Sequence, residues 1–227
     1  MMKRLPLLLA SLLLTTACSA GSDATAPAAA AAPWVEGTHY FRIDPAQPLG
    51  RDGKVEVVEV FSYACPHCAH FAPYVDRLVA GLPKGVEFRM IPATFSPMWE
   101  PYARAFYAAD ALGLAQASHD AVFQAIWQAQ SIPPQGATLD NFASFYAGRY
   151  MVAPQRFLEI AQSAQTDARL IADVKREQAW GIDGTPSIVV DGKYRADAGS
   201  AGGSFDKLVE LTQWLVQREL DSKKRGN

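Results

Sequence analysis

The pattern of apolar and polar positions opens on an apolar block, Leu5 to Leu14, behind Lys3 and Arg4. A membrane-spanning helix needs about 20 apolar residues, so this block fits the core of a secretory signal rather than a span. Residues 1–20 are therefore set aside from the fold. Residues 21–36 are rich in Ala, Ser, Thr and Pro and show no hydrophobic period, which reads as a flexible linker with order beginning near Trp34. From 54 to 62 the run Lys-Val-Glu-Val-Val-Glu-Val-Phe-Ser is β-branched and mostly apolar, as expected of a central strand covered on both faces. Phe71, Val75, Leu78 and Leu82 then recur at helical spacing, predicting a helix that starts at or just after Cys65, with Pro73 inside it as a kink. Val86 to Ile91 reads as the next strand.

From about Met98 to Trp180 the chain is almost entirely helix-forming, with breaks at Gly113, at Ile132-Pro133-Pro134 and near Ala153-Pro154. Four or five helices are expected, with Thr138 or Asp140 capping one and Thr166 or Asp167 another. Strand character returns at Ser187 to Val190, followed by the hairpin signal Asp191-Gly192 and then Lys193-Tyr194-Arg195. A last amphipathic helix follows Ser204. The order is strand, strand, helix, strand, helical block, hairpin, helix: a helical insertion inside an α/β unit.

Composition adds little until charge is considered. With 49% hydrophobic and 19% charged residues, an ordinary globular core can form. The formal charge of −2 argues against nucleic acid as a partner, and the basic run Lys223-Lys224-Arg225 is read as part of a solvated, disordered tail over 221–227.

The chemistry is concentrated in Cys65-Pro66-His67-Cys68. Two cysteines two residues apart at a helix start can close a disulfide. The first sulfur meets unpaired backbone N–H groups and the positive end of the helix dipole, so its thiolate is favoured. His67 adds a donor beside the same sulfur, and Cys68, one turn deeper, is expected to stay a neutral thiol. Stabilising the Cys65 thiolate stabilises the reduced form and makes the disulfide a stronger oxidant. Half of a zinc site is the bland alternative, but a closed site needs four ligands and no second cysteine pair exists, so no metal is expected. The third cysteine, Cys18, lies in Thr15-Thr16-Ala17-Cys18, which is similar to a bacterial lipobox; acylation of Cys18 and ordinary cleavage after Ala20 both remain open.

Two further places attract attention. Gly184-Thr185-Pro186-Ser187 sits immediately before an apolar strand, where a proline is awkward unless its bond is special. A cis Thr185–Pro186 bond would present the Thr185 backbone to an incoming peptide strand. Glu59 interrupts the central strand that feeds the cysteines, and a buried carboxylate there could relay the proton of Cys68.

These residues together resemble the DsbA family of disulfide oxidases of the thioredoxin superfamily: a strand ending Glu59-Val60-Phe61-Ser62, then Cys-Pro-His-Cys, an inserted helical block, and Gly-Thr-Pro before a hairpin. The resemblance implies an α/β, thioredoxin-like fold over residues 37–220 with a helical insertion at about 97–170. It implies that Cys65 exchanges with clients, Cys68 resolves, Pro66, His67 and Glu59 tune the pair, and Pro186 is cis. It implies reduced exported proteins as substrates, the periplasm as location, a quinone-linked membrane partner of the DsbB type, and no cofactor beyond the redox-active pair. Two positions depart from the family pattern. Where a Lys often faces the buried Glu, this chain carries Met90, with Arg89 beside it; and Thr185 stands before the proline where Val is common.

A disulfide isomerase or reductase on the same fold is the competing expectation. Periplasmic isomerases usually carry an N-terminal dimerisation domain, and only the low-complexity linker precedes the fold here, so a monomeric dithiol oxidase is the favoured reading.

Overall fold

The computed structural model describes residues 33–48 and 53–226, with the side chains of the last of these left aside. The signal segment, most of the linker and Cys18 lie outside the described residues. Five strands form one sheet: β1 (Phe41–Arg42), β2 (Glu56–Phe61), β3 (Glu87–Pro92), β4 (Ser187–Val190) and β5 (Tyr194–Asp197), in the order β1-β5-β4-β2-β3. β2 is parallel to β3 and antiparallel to β4, while β5 runs antiparallel to both β4 and β1.

The near-continuous apolar run of β2 follows from its central place, since all six of its residues are buried. On one face Val57 packs with Phe71, Val75 and Leu78 of helix α1 (Pro66–Ala80) and with Leu208, Leu211 and Leu215 of α7 (Phe205–Gly226). On the other, Val58 and Val60 pack with Ile91, Val189 and Trp180. Pro73 lies inside α1, as its sequence position indicates. The hairpin turn places Asp191 and Gly192 both at positive φ, closed by the Lys193 N–H donating to Val190 O. A Cβ on Gly192 would fall about 2.1 Å from the Gln47 carbonyl, so no other residue fits.

The inserted block holds α2 (Glu100–Ala111), α3 (Ala115–Trp127), α4 (Leu139–Tyr150), α5 (Pro154–Ala161) and α6 (Ala164–Trp180), preceded by a short 3₁₀ turn at Pro97–Trp99. Their apolar faces share a core that includes Tyr102, Phe106, Phe123, Ile126, Phe142 and Phe157. α6 spans two environments: Leu170 belongs to this helical core, whereas Trp180 covers the sheet.

One capping expectation is met and two other expectations change. Thr138 caps α4 in a capping box with Asn141, and Asp140 sits within the first turn. α6 is capped by Ser163, whose hydroxyl accepts from Thr166 N–H, so Thr166 and Asp167 fall in its first turn rather than at its cap. The C-terminal basic run is not a free tail: α7 continues through Gly226, and Lys223 Nζ donates to Gly53 O at 2.9 Å, Lys54 O at 3.0 Å and Asp191 Oδ1 at 3.1 Å. A lysine on the buried side of a helix end finds carbonyl and carboxylate acceptors there, which a reading from composition cannot see.

Candidate active site

The C-terminal end of β2 delivers the chain into the turn Ser62–Ala64, and α1 begins at once. Cys65 is the N-cap residue of α1, and Pro66 occupies the first helical turn, where its missing N–H breaks no bond. Cys65 and Cys68 are both free thiols on the described chain and both are buried, whereas Pro66 and His67 are exposed.

The two sulfurs sit in opposite environments. The Cys65 thiol is lowered from an ordinary value near 9 to about 5. The largest cause is a hydrogen bond from Cys68; burial opposes it, and the Thr185 side chain and the backbone N–H groups of Cys68 and His67 add to the lowering. His67 thus acts through its amide at the helix start. The Cys68 thiol is pushed well above its ordinary value, chiefly by burial and then by Cys65. Its sulfur receives a long contact from the Ser62 N–H at 3.5 Å.

Thr185–Pro186 is a cis peptide, and the Thr185 carbonyl lies 3.4 Å from Cys65 Sγ, across a sequence separation of 120 residues. β4 starts at Ser187, so this loop and the helix start meet at one end of the sheet.

Glu59 is 1% exposed and its pKa is pushed up to about 8 by burial. Its Oε2 has no hydrogen-bond partner among the described residues. The register sets Glu59 directly opposite Met90, as counting along the sequence indicated. Arg89 serves other carboxylates, pairing with the buried Glu56 at 2.7 Å and with Glu87 at 3.0 Å. Glu59 adds to the raised pKa of Cys68, which places the two groups within electrostatic reach.

The sequence pattern missed a set of side chains that hold the turn before Cys65. Trp127 Nε1 donates to Tyr63 O at 3.0 Å, and the Tyr63 hydroxyl hydrogen-bonds His119 Nδ1 at 3.0 Å. His119 packs edge-on against Phe61 and Phe123, both at 4.9 Å between ring centres, and burial lowers its pKa to about 4. A histidine on the apolar face formed by Val122, Phe123 and Ile126 was the available signal.

Known proteins are similar to this chain in sequence and fold. A family model described as thioredoxin matches residues 50–210. The thiol:disulfide interchange protein DsbA of Pseudomonas aeruginosa is 33% identical over 213 residues, which cover 94% of this chain and 99% of that one. The chain belongs to the DsbA family. DsbA of Azotobacter vinelandii is 34% identical over 183 residues, covering 81% of this chain and 83% of its own. The crystal structure of Xylella fastidiosa DsbA superposes with a TM-score of 0.75 at 40% identity, over 81% of this chain and 96% of that one. As a DsbA-family member the chain is a thiol:disulfide oxidoreductase. Cys65, Cys68, Thr185 and Pro186 meet at one place. Glu59 faces Met90 on the neighbouring strand, so no lysine stands opposite this buried acid.

Proposed function

We propose that this protein donates its Cys65–Cys68 disulfide to reduced proteins after their export. A client thiolate attacks the Cys65 sulfur, the Cys65–Cys68 bond breaks, and Cys68 takes up the displaced electron pair and a proton. A second client thiolate then attacks the client sulfur of the mixed disulfide. Cys65 departs as thiolate, leaving the client oxidised by two electrons and the enzyme reduced by two. The observation that carries this reading is the opposed environment of the two sulfurs, which makes Cys65 the good leaving group and Cys68 the protonated partner. With Cys65 at about 5, its thiolate stabilises the reduced enzyme at pH 7 by about 3 kcal/mol, on the order of 60 mV toward oxidant.

In this proposal Glu59, protonated near neutrality, trades a proton with Cys68, and the Thr185 backbone before Pro186 docks the client strand beside Cys65. Pro66 and His67 shape the helix start, and the enzyme works as a monomer with no cofactor. The proposal places the protein in the periplasm, with a DsbB-type, quinone-linked membrane protein restoring the disulfide. Acylated Cys18 would tether it to a membrane, which labelling with a radioactive fatty acid tests against a Cys18→Ser variant.

Equilibration of the pair with glutathione is the decisive measurement. The expected result is a disulfide that reduced glutathione opens readily. A potential below about −300 mV, the range of structural disulfides, refutes donation. Faster repair of scrambled substrates than oxidation of reduced ones would assign isomerisation instead.

A further inference from the structure

Beside the Cys65 sulfur lies a groove of about 590 Å³, bounded by His67 and Tyr74 of α1, the loop from Asp183 to Ser187, the end of β5 at Asp197, and Phe205 at the start of α7. Its walls are aromatic and backbone, and the charges along it share one sign. Asp183 is exposed and Asp197 half-buried, and no Lys or Arg lines the groove among the described residues. Of the cations on flanking elements, Lys207 of α7 reaches the groove's rim at Gly202, and two others are engaged elsewhere. Arg77 lies over the Tyr74 ring and is paired with Asp206 at 2.6 Å; Arg195 lies over the Phe41 ring. Asp197 Oδ1 accepts from the Ser200 N–H at 2.8 Å, which leaves its other oxygen's lone pairs for an incoming donor.

A client held at Cys65 and running along this groove in extended form advances about 3.3 Å per residue. Asp183 stands two residues before Thr185, whose carbonyl lies against Cys65, and Asp197 pairs with Ser187 two residues after it, so about two or three client residues span the distance to either carboxylate. A lysine or arginine there lays its alkyl stem along Tyr74 and Phe205 while its charge meets a carboxylate. An acidic side chain in the same place meets two like charges, with Lys207 at the Gly202 rim as the nearby cation.

We propose that this groove selects clients by charge, favouring a basic side chain within about three residues of the reacting cysteine and disfavouring an acidic one. The proposal rests on the disulfide-donor reading and specifies its substrate class. Partly exposed pairs of this kind contribute modestly each, so the expected preference for basic over acidic flanks is about three- to tenfold in second-order rate at low salt, collapsing as salt is raised.

The test uses the oxidised full-length protein and three synthetic peptides, each with a single reduced cysteine flanked by lysine, alanine or glutamate. The rate of mixed-disulfide formation is followed for each. A ranking of lysine over alanine over glutamate that flattens with salt, and reverses in a Asp183→Lys/Asp197→Asn variant, supports charge selection. Ranking is read within each protein, so a poorly folded variant slows all three peptides without reordering them; in that case the salt dependence of the unmodified protein decides. Equal rates for all three peptides at low salt overturn charge selection and leave disulfide donation standing. Failure to react with any peptide, when glutathione also fails to open the disulfide, overturns the donor reading itself.

Discussion

Glu59→Gln exchanges a buried carboxyl for an amide of nearly the same shape, and its consequence for stability can be worked out with its sign. Unfolded, Glu59 titrates near its ordinary 4.5; folded, burial holds it at about 8. Below the unfolded value both states are protonated and the carboxyl imposes no penalty. As pH rises from there to the folded value, the unfolded chain releases a proton that the folded chain keeps, and stability falls by about 1.4 kcal/mol per pH unit. By pH 7 the loss is about 3 kcal/mol, a large fraction of the stability of a typical domain. Glutamine cannot ionise, so the variant escapes this loss. Glu177, also pushed up to about 8, and Asp173, pushed up to about 6, act with the same sign; His119, lowered to about 4, acts with the opposite sign as pH falls. All three are present in both proteins and cancel in the difference. Urea unfolding of the oxidised proteins, in which neither active-site thiol titrates, isolates the effect. The expected gain in the variant is near zero at about pH 4 and about 3 kcal/mol at pH 7. A gain that does not change with pH would mean that Glu59 is ionised in the folded protein, and the argument from burial would be refuted.

Other measurements probe the thiols and the turn that positions them. Thiolate absorbance of the reduced protein should titrate with a midpoint near 5, and a midpoint near 9 would remove the basis for an oxidising pair. Because the folded value is depressed, the stability of the reduced form relative to the oxidised form should grow as pH rises from about 5 toward 9. It should reach about 3 kcal/mol at pH 7, and equal unfolding midpoints for the two forms would contradict this. Cys68→Ala should trap a client on Cys65 as a mixed disulfide visible on a non-reducing gel, since the resolving thiol is gone; a variant that releases client at the normal rate would deny Cys68 that role. Trp127→Phe strips the Tyr63 carbonyl of its 3.0 Å donor and should lower stability by about 1–3 kcal/mol in urea unfolding, whereas an unchanged midpoint would show that water replaces the indole without penalty.

Much of this protein can be read along its chain because the relevant physics is local. The run from Val55 to Phe61 is apolar almost throughout because β2 lies in the middle of the sheet with both faces covered, and such a strand needs no polar face. Cys65 stands at a helix start because Pro66 follows it and the apolar period begins there, so its contact with helix N–H groups is a matter of neighbours in sequence. The turn at Asp191-Gly192 likewise follows from the two residues that most readily take positive φ. What lay beyond such reasoning depends on groups distant in sequence. Ser163, rather than Thr166 or Asp167, caps α6 because the chain breaks after α5, a break that no glycine or proline marks. Lys223 became a buried-side clasp rather than a tail residue because Gly53, Lys54 and Asp191 happen to offer it acceptors. His119 and Trp127 look like ordinary members of an apolar helix until folding brings the Tyr63 turn against them. Arg89, one residue from Met90, could have answered Glu59 by sequence proximity alone, yet strand alternation turns it toward Glu56. The residue types and the cysteine spacing were decided by the chain's order, whereas each carboxylate's partner, and hence its charge, was decided by the tertiary structure, because electrostatic energy depends on distance and burial rather than on position in the sequence.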